Sequence, residues 1–264
     1  LYTLKGLLLS NRVKGAFFVE ESTPNFNPSK PLGIKAYGSI CHLPGSRLGV
    51  GDHKLNDGQA RILTERARDR HDLIIVQEKL DGSNVAVARV NGVLIALGRA
   101  GYAAVSSKYE QHQLFAAWVM EREDRFAFLT DGERLCGEWL AQAHGTRYQL
   151  THDPFVAFDL IRGTERAPFA EFTQRVGEAG FVMPKLLSSG PPVSVKRAIE
   201  LLEGEPGDRR NGFHGAIDPV EGAVWRVERK GKVDFLGKYV RPEKVDGCYL
   251  PEISGKDAVW NWRP

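Results

Sequence analysis

Between Asp57 and His71 the apolar residues Ala60, Ile62, Leu63 and Ala67 recur at helical spacing among polar ones, which predicts a helix. Leu73 to Leu80 is an apolar run of strand length. Asn84 to Val90 alternates between large or apolar and polar or small residues, and Asn91-Gly92 supplies a tight turn into a returning strand, Val93 to Arg99. Tyr109 to Phe126 reads as an amphipathic helix, with Leu114, Trp118 and Met120 on one side and Glu110, Glu121, Arg122 and Glu123 on the other. Further strands are predicted at Arg134 to Leu140 and Pro154 to Arg162, and helices at Pro168 to Glu178 and Ser194 to Leu202. A last hairpin joins Ala223–Arg229 to Val233–Val240 around Lys230-Gly231. This mixed order favours an α+β fold built on antiparallel sheets over a doubly wound sheet.

A chain of 264 residues fits one large domain at roughly 100–200 residues per domain. Residues 21–33 are rich in turn formers and set off residues 1–33 as an N-terminal arm or extension. The formal net charge of +3 permits a nucleic-acid partner without requiring one. Cys41, Cys136 and Cys248 are far apart and form no CxxC pair, so neither a disulfide framework nor a zinc site is expected. No apolar run approaches the roughly 18 residues of a membrane span. The opening segment does not read as a signal peptide, and the expectation is a cytoplasmic protein without a membrane partner.

The segment richest in chemistry is Glu78-Lys79-Leu80-Asp81-Gly82-Ser83-Asn84, a lysine between carboxylates at the end of one strand and before the next. Alone it reads equally as a surface ion-pair cluster. A lysine attacks phosphorus only as the neutral amine, so a nucleophilic Lys79 needs its pKa lowered from about 10.4 by nearby positive charge or desolvation. Lys238 and a divalent metal are the expected sources of that charge. A hard cation such as Mg2+ or Mn2+ requires oxygen ligands, and Asp81, Glu138 and Glu221, each at or after a predicted strand, are the candidates.

Further segments follow in order: Arg99-Ala100-Gly101, Leu135-Cys136-Gly137-Glu138-Trp139-Leu140, Phe155-Val156-Ala157-Phe158-Asp159-Leu160, Glu221-Gly222-Ala223-Val224-Trp225-Arg226 and Phe235-Leu236-Gly237-Lys238-Tyr239. Together with Lys79-Leu80-Asp81-Gly82, this ordered set resembles the motifs of the covalent nucleotidyltransferases, the superfamily of DNA ligases, RNA ligases and capping enzymes. Within it, Glu78, Asn84, Arg99 and the stretch Lys35 to Ile40 resemble the phage T4 RNA ligase 2 family. One departure is clear. The last motif usually carries two lysines, and Leu236 stands at the first, leaving Arg241 and Lys244 as candidates for the second cation.

The resemblance implies an ATP-grasp-like nucleotidyltransferase (adenylyltransferase) domain over residues 34–245, with antiparallel sheets flanked by helices. Residues 246–264 would be a short C-terminal tail, too short for the OB domain that DNA ligases and capping enzymes carry. It implies an ATP-dependent RNA ligase that joins 3′-OH and 5′-phosphate RNA ends, a nicked duplex among the candidates, through a lysyl-AMP and an RNA-adenylate. Lys79 would be the nucleophile. Glu78 and the Leu80 backbone would read the adenine edge, Phe158 would stack on the base, Arg99 and Glu138 would meet the ribose, and Lys238 the α-phosphate. Asn84, Arg99 and Arg226 would serve the RNA end or later steps. A DNA ligase, a capping-type enzyme and an inert RNA-end-binding module are the alternatives.

Two features stand outside the resemblance. The run His42 to Asp52, with its glycines and Arg47, reads equally as a phosphate-binding loop or a turn-rich connector. Trp260 and Trp262 read as anchors for the C-terminal tail.

Overall fold

The computed structural model describes residues 29–203 and 214–264, so most of the expected N-terminal arm, residues 1–28, lies outside the described residues. The strands are β1 (Cys41–His42), β2 (Asp72–Lys79), β3 (Ser83–Val90), β4 (Val93–Gly98), β5 (Glu133–Trp139), β6 (Phe155–Arg162), β7 (Glu165–Arg166), β8 (Leu186–Gly190), β9 (Gly222–Arg229) and β10 (Lys232–Val240). The helices are α1 (Asp57–Thr64), α2 (Glu110–Met120), α3 (Phe169–Glu178), α4 (Val195–Glu203) and α5 (Pro251–Ser254).

The strands form two five-stranded sheets, ordered β1-β10-β9-β2-β8 and β4-β3-β5-β6-β7. Every pairing is antiparallel except β1 with β10. The expected α+β architecture of antiparallel sheets flanked by helices is therefore what the chain adopts. Both predicted hairpins form, and their turns place Asn91-Gly92 and Lys230-Gly231 at positive φ, the left-handed conformation that two-residue hairpin turns need.

Alternation along β3 decides what each face of the second sheet covers. Val85 and Val87 enter a core with Phe115, Trp118, Trp139, Phe155 and Phe172, beneath α2 and α3. Ala86 and Ala88 face the other way, where their small side chains leave room for Ala36, Tyr37 and Leu97. The first sheet packs Ile74, Val76, Trp225 and Val227 against Leu63 of α1 and Ala198 and Leu202 of α4. Trp262 docks edge-on to Trp139 at 5.7 Å, and the Asn261 and Trp262 amides donate to the Ala141 carbonyl. The tail residues thus belong to the second sheet's core.

Two helix predictions were too long. Helix α1 stops at Thr64 because Arg68, Asp69 and Asp72 are drawn into ion pairs with Asp234 and Arg229, a geometry that a continuing helix would not allow. The predicted helix from Tyr109 to Phe126 breaks after Met120 into a 3₁₀ turn over Glu123–Phe126. That turn buries Phe126 completely and carries Arg125 to Asp153.

At the start of β5, the buried carboxylate of Glu133 accepts from Arg175 of α3 at 2.7 Å and from the Thr130 amide at 2.8 Å, and pairs with Arg162. Burial works to raise its pKa, but these donors outweigh burial and hold it at about 2. A folded-state pKa below the ordinary value means that the ionised group stabilises the fold above about pH 4.5 and loses that contribution as pH falls through about 2; the linkage is on the order of 3 kcal/mol. Glu133→Gln is expected to lower the unfolding free energy at pH 7. The wild-type and mutant denaturation curves should converge in acid, and equal stability at pH 7 would refute the assignment.

Candidate active site

Strand β2 ends on Lys79, which stands in register with Gly222 of β9, so Glu221 is delivered beside it. The Lys79 Nζ lies 2.7 Å from Glu221 Oε2. A Cβ on Gly222 would fall 1.9 Å from the Tyr239 carbonyl oxygen, so only glycine permits this approach of β9 to β10. Leu80, Asp81 and Gly82 then carry the chain from the first sheet to the second. Gly82 is also constrained: a Cβ there would meet the Trp139 carbonyl oxygen at 2.5 Å. Its amide donates to Glu138 Oε1 at 3.0 Å, and Glu138 on β5 faces Asn84 on β3.

Asp81 turns away from Lys79 toward Lys244, with Oδ2 2.9 Å from the Lys244 Nζ and 2.9 Å from the Gly145 amide. Its own amide donates to the Tyr148 hydroxyl. Lys244 also contacts Thr146. Of the two candidates for the second cation, Lys244 joins the acidic cluster, whereas Arg241 pairs with Glu203 and Glu243.

A cavity of about 720 Å³ opens over this seam. Its walls include every residue assigned from the sequence except Glu221, which sits behind Lys79. Phe158 of β6 is half-buried in the wall, its ring packed edge-on against Tyr37 at 5.1 Å. Arg99, just past β4, is exposed and donates to Ser39. Leu236 and Lys238, two apart on β10, both reach the cavity.

Without a metal, the carboxylates set the charge of Lys79. Burial lowers its pKa, but Glu221, Glu138 and Asp81 outweigh burial and raise it above the ordinary lysine value, so the side chain is an ammonium. Lys238 moves the other way, lowered by burial and by Lys79. Burial pushes Glu138 up to about 7.

Arg226 is held by partners in both sheets. Its side chain is only 4% exposed, donates from Nη2 to Asp159 at 2.7 Å and from Nη1 to the Ala167 carbonyl at 3.1 Å, and lies 3.6 Å from Glu228. With Tyr37 and Arg166 also on Asp159, it ties β9 of one sheet to β6 of the other. Arg226 thus both lines the cavity and joins the two sheets.

The loop His42 to Asp52 does not line the cavity as a phosphate cradle. Arg47 pairs with Asp246 and the Lys244 carbonyl, and the Gly49 amide donates to Asp52. Among the described residues no three His, Cys, Asp or Glu side chains are grouped to hold a metal directly. Asp81, Glu138 and Glu221 share the seam, but each already has a protein partner.

The family model of RNA ligases matches residues 72–240. No curated protein matches the sequence. Among solved structures, an archaeal ATP-dependent RNA ligase is 18% identical with a TM-score of 0.45, covering 77% of this chain and 48% of that one. A mutant Naegleria gruberi RNA ligase with AMP and Mn is 14% identical with a TM-score of 0.48, covering 78% and 60%. The chain thus spans about half the length of the archaeal protein it matches.

Glu78 carries a measurable signature of the site. It is 3% exposed, neither carboxylate oxygen has a hydrogen-bond partner among the described residues, and His214 Nε2 stands 3.7 Å away. Burial pushes its pKa up to about 7. For an acid raised in the folded state, the penalty is absent below about pH 4.5, grows as pH rises, and is complete above about 7. Glu78→Gln is expected to raise the melting temperature at pH 8 and leave it nearly unchanged at pH 4.5. An equal effect at both pH values would refute the assignment.

Proposed function

Because this chain belongs to the RNA ligase family, we propose that it is an ATP-dependent RNA ligase that joins 3′-OH and 5′-phosphate ends through a lysyl-AMP, in the manner of the T4 RNA ligase 2 family it resembles. The observation that carries the reading is Lys79, held at the floor of a nucleotide-sized cleft against Glu221.

In the first step the Lys79 amine attacks the α-phosphorus of ATP. An N–P bond forms, the bond to the bridging oxygen breaks, and pyrophosphate leaves. The ammonium must first lose a proton, and Glu221, 2.7 Å from Nζ, is the group positioned to receive it. Lys238 meets the α-phosphate, where fixed positive charge counts most as negative charge is redistributed. Phe158 offers a ring face to the base. Glu78, in the cleft wall with His214 Nε2 3.7 Å away, and the Leu80 backbone read the adenine edge, while Arg99 and Glu138 meet the ribose. AMP then passes to the 5′-phosphate, and the 3′-hydroxyl displaces it, with Asn84 and Arg99 facing those later steps.

A divalent cation fits this donor set in the way Mg2+ is commonly held, by one or two carboxylates with water and substrate phosphates completing the octahedron. Glu138 and Glu221 would hold it, with Asp81 in reserve behind Lys244. When bound, the ion supplies the positive charge that favours a neutral Lys79.

The rim of the cleft supports an RNA strand as the acceptor. Tyr102 and Tyr109 both wall the cavity while remaining 40% and 42% exposed. The Lys30 and Lys108 ammonium groups lie 5.1 and 5.0 Å from their ring centroids. Exposed aromatic rings among cations suit base stacking beside a phosphate backbone.

Incubation with α-labelled ATP and Mg2+ is expected to leave label on the denatured wild-type chain and none on Lys79→Ala. Folded wild-type protein, free of pre-bound AMP, that takes up no label would overturn the ligase reading in favour of an inert binding module. Tyr109→Ala should retain labelling of Lys79 but weaken binding of single-stranded RNA ends by about 1–3 kcal/mol. Unchanged RNA affinity would remove Tyr109 from the acceptor path.

A further inference from the structure

We propose that His42 and Asp52 are a positioning pair for Lys238, contributed from a segment that precedes the family-matched residues 72–240. The proposal deepens the adenylyltransferase reading and rests on Lys238 serving ATP in the cleft.

The geometry begins with the parallel pairing of β1 on β10, which sets His42 in register with Lys238. The chain then loops out and returns, and the His42 backbone amide and carbonyl bond to His53 and Leu55 at 2.7 and 2.9 Å. This fixes Asp52 beside the end of β10. Ser46 locks the same loop to the strand, because its hydroxyl oxygen accepts from the Val240 amide at 2.9 Å and lies 2.7 Å from His42 Nδ1.

The Ser46 hydroxyl also donates to the Arg47 carbonyl oxygen at 3.3 Å. The other ring nitrogen of His42, Nε2, lies 3.0 Å from Asp52 Oδ2. His42 is 2% exposed, and burial together with Lys238 keeps the ring neutral. The Gly49 amide also donates to Oδ2 at 2.9 Å. Oδ2 of Asp52 thus sits beside the His42 ring and the Gly49 amide, and Oδ1 lies toward Lys238 Nζ, at 3.7 Å.

Lys238 has particular need of such a partner. Lys79 from β2 and Arg99 from beyond β4 repel its charge, while Glu221 ahead of β9 is occupied by Lys79. The neighbouring cavity-facing position on β10 is Leu236, so that strand presents one cation to the cleft, and its position and charge must be secured from behind. The cavity walls include Lys238 but neither His42 nor Asp52. These two residues therefore act through Lys238 and do not touch ATP.

The test uses the full chain as wild type, Asp52→Asn and His42→Gln. It measures ATP-dependent labelling rates from pH 6 to 10 and the titration of Lys238 by NMR of ¹³Cε-labelled lysine without ATP. Asp52 is partly exposed, so Asp52→Asn should fold normally, which thermal unfolding verifies. The rate in Asp52→Asn is expected to fall about tenfold, the order expected when a group that stabilises charge is misplaced but retained.

Loss of the counter-charge should move the Lys238 titration, and with it the alkaline limb of the rate profile, to lower pH. His42→Gln should move both in the same direction by less. Folded Asp52→Asn protein with wild-type rates and an unmoved Lys238 titration would overturn the proposal. If the wild type takes up no label, the ligase reading fails, and the NMR titration then decides the coupling: displacement in Asp52→Asn sustains it and no displacement overturns it.

Discussion

The rest of the structure depends on the burial of a lysine ammonium among carboxylates at the seam of two sheets. A charge removed from water is costly unless it is paired and hydrogen-bonded, and Lys79 meets that condition only when β2 and β9 of one sheet are held against β3 and β5 of the other. Glu221 comes from the start of β9, Glu138 from β5, and Asp81 from the three-residue crossing between sheets. Gly82 and Gly222 sit at the closest backbone approaches because any side chain there would collide with a carbonyl oxygen. The tight joint and the ion pair of Lys79 are one feature.

A second joint keeps the cleft from closing on the first. Asp159, fully buried on β6, gathers Tyr37, Arg166 and Arg226, and Arg226 brings β9 with it. The two clasps bridge the sheets at different places, and the cavity lies between them with Phe158 in its wall. Removing one partner from such a buried network leaves an uncompensated charge, so Arg226 helps keep β9 in register with β6.

Much of this was legible in the sequence because its signals are local. Period-two alternation in Ser83–Val90 and the glycine at each hairpin turn define strands whatever surrounds them. The ordered motifs cover much of the cleft wall, but not the stretch Tyr102 to His112 or His144. What escaped was decided by contacts across long stretches of chain. Helix α1 stops where Asp72, Asp234 and Arg229 claim its would-be continuation, and β8 reads as a loop until β2 offers it an edge. Nothing local to Arg226 reveals that its partner is Asp159, 67 positions away. Lys244 could be named as a candidate but not chosen over Arg241 until its pairing with Asp81 was seen.

The charge state of Lys79 shows why motif and mechanism are separate questions. The motif supplies a lysine, and nucleophilic chemistry requires it neutral, yet the free site is organised to keep it charged. Its cations and anions are matched: Lys79 with Glu221, Lys244 with Asp81, Lys238 with Asp52. A polyphosphate entering this cleft competes with those carboxylates for the same cations. Lys238 is the easiest to recruit, since its 3.7 Å contact with Asp52 is longer than the 2.7 Å contact of Lys79 or the 2.9 Å contact of Lys244. On the proposed reading, Lys238 turns to the α-phosphate first while Lys79 stays against Glu221, the group that must take its proton. The order of ion-pair strengths thus separates the residue that binds phosphate from the residue that attacks it.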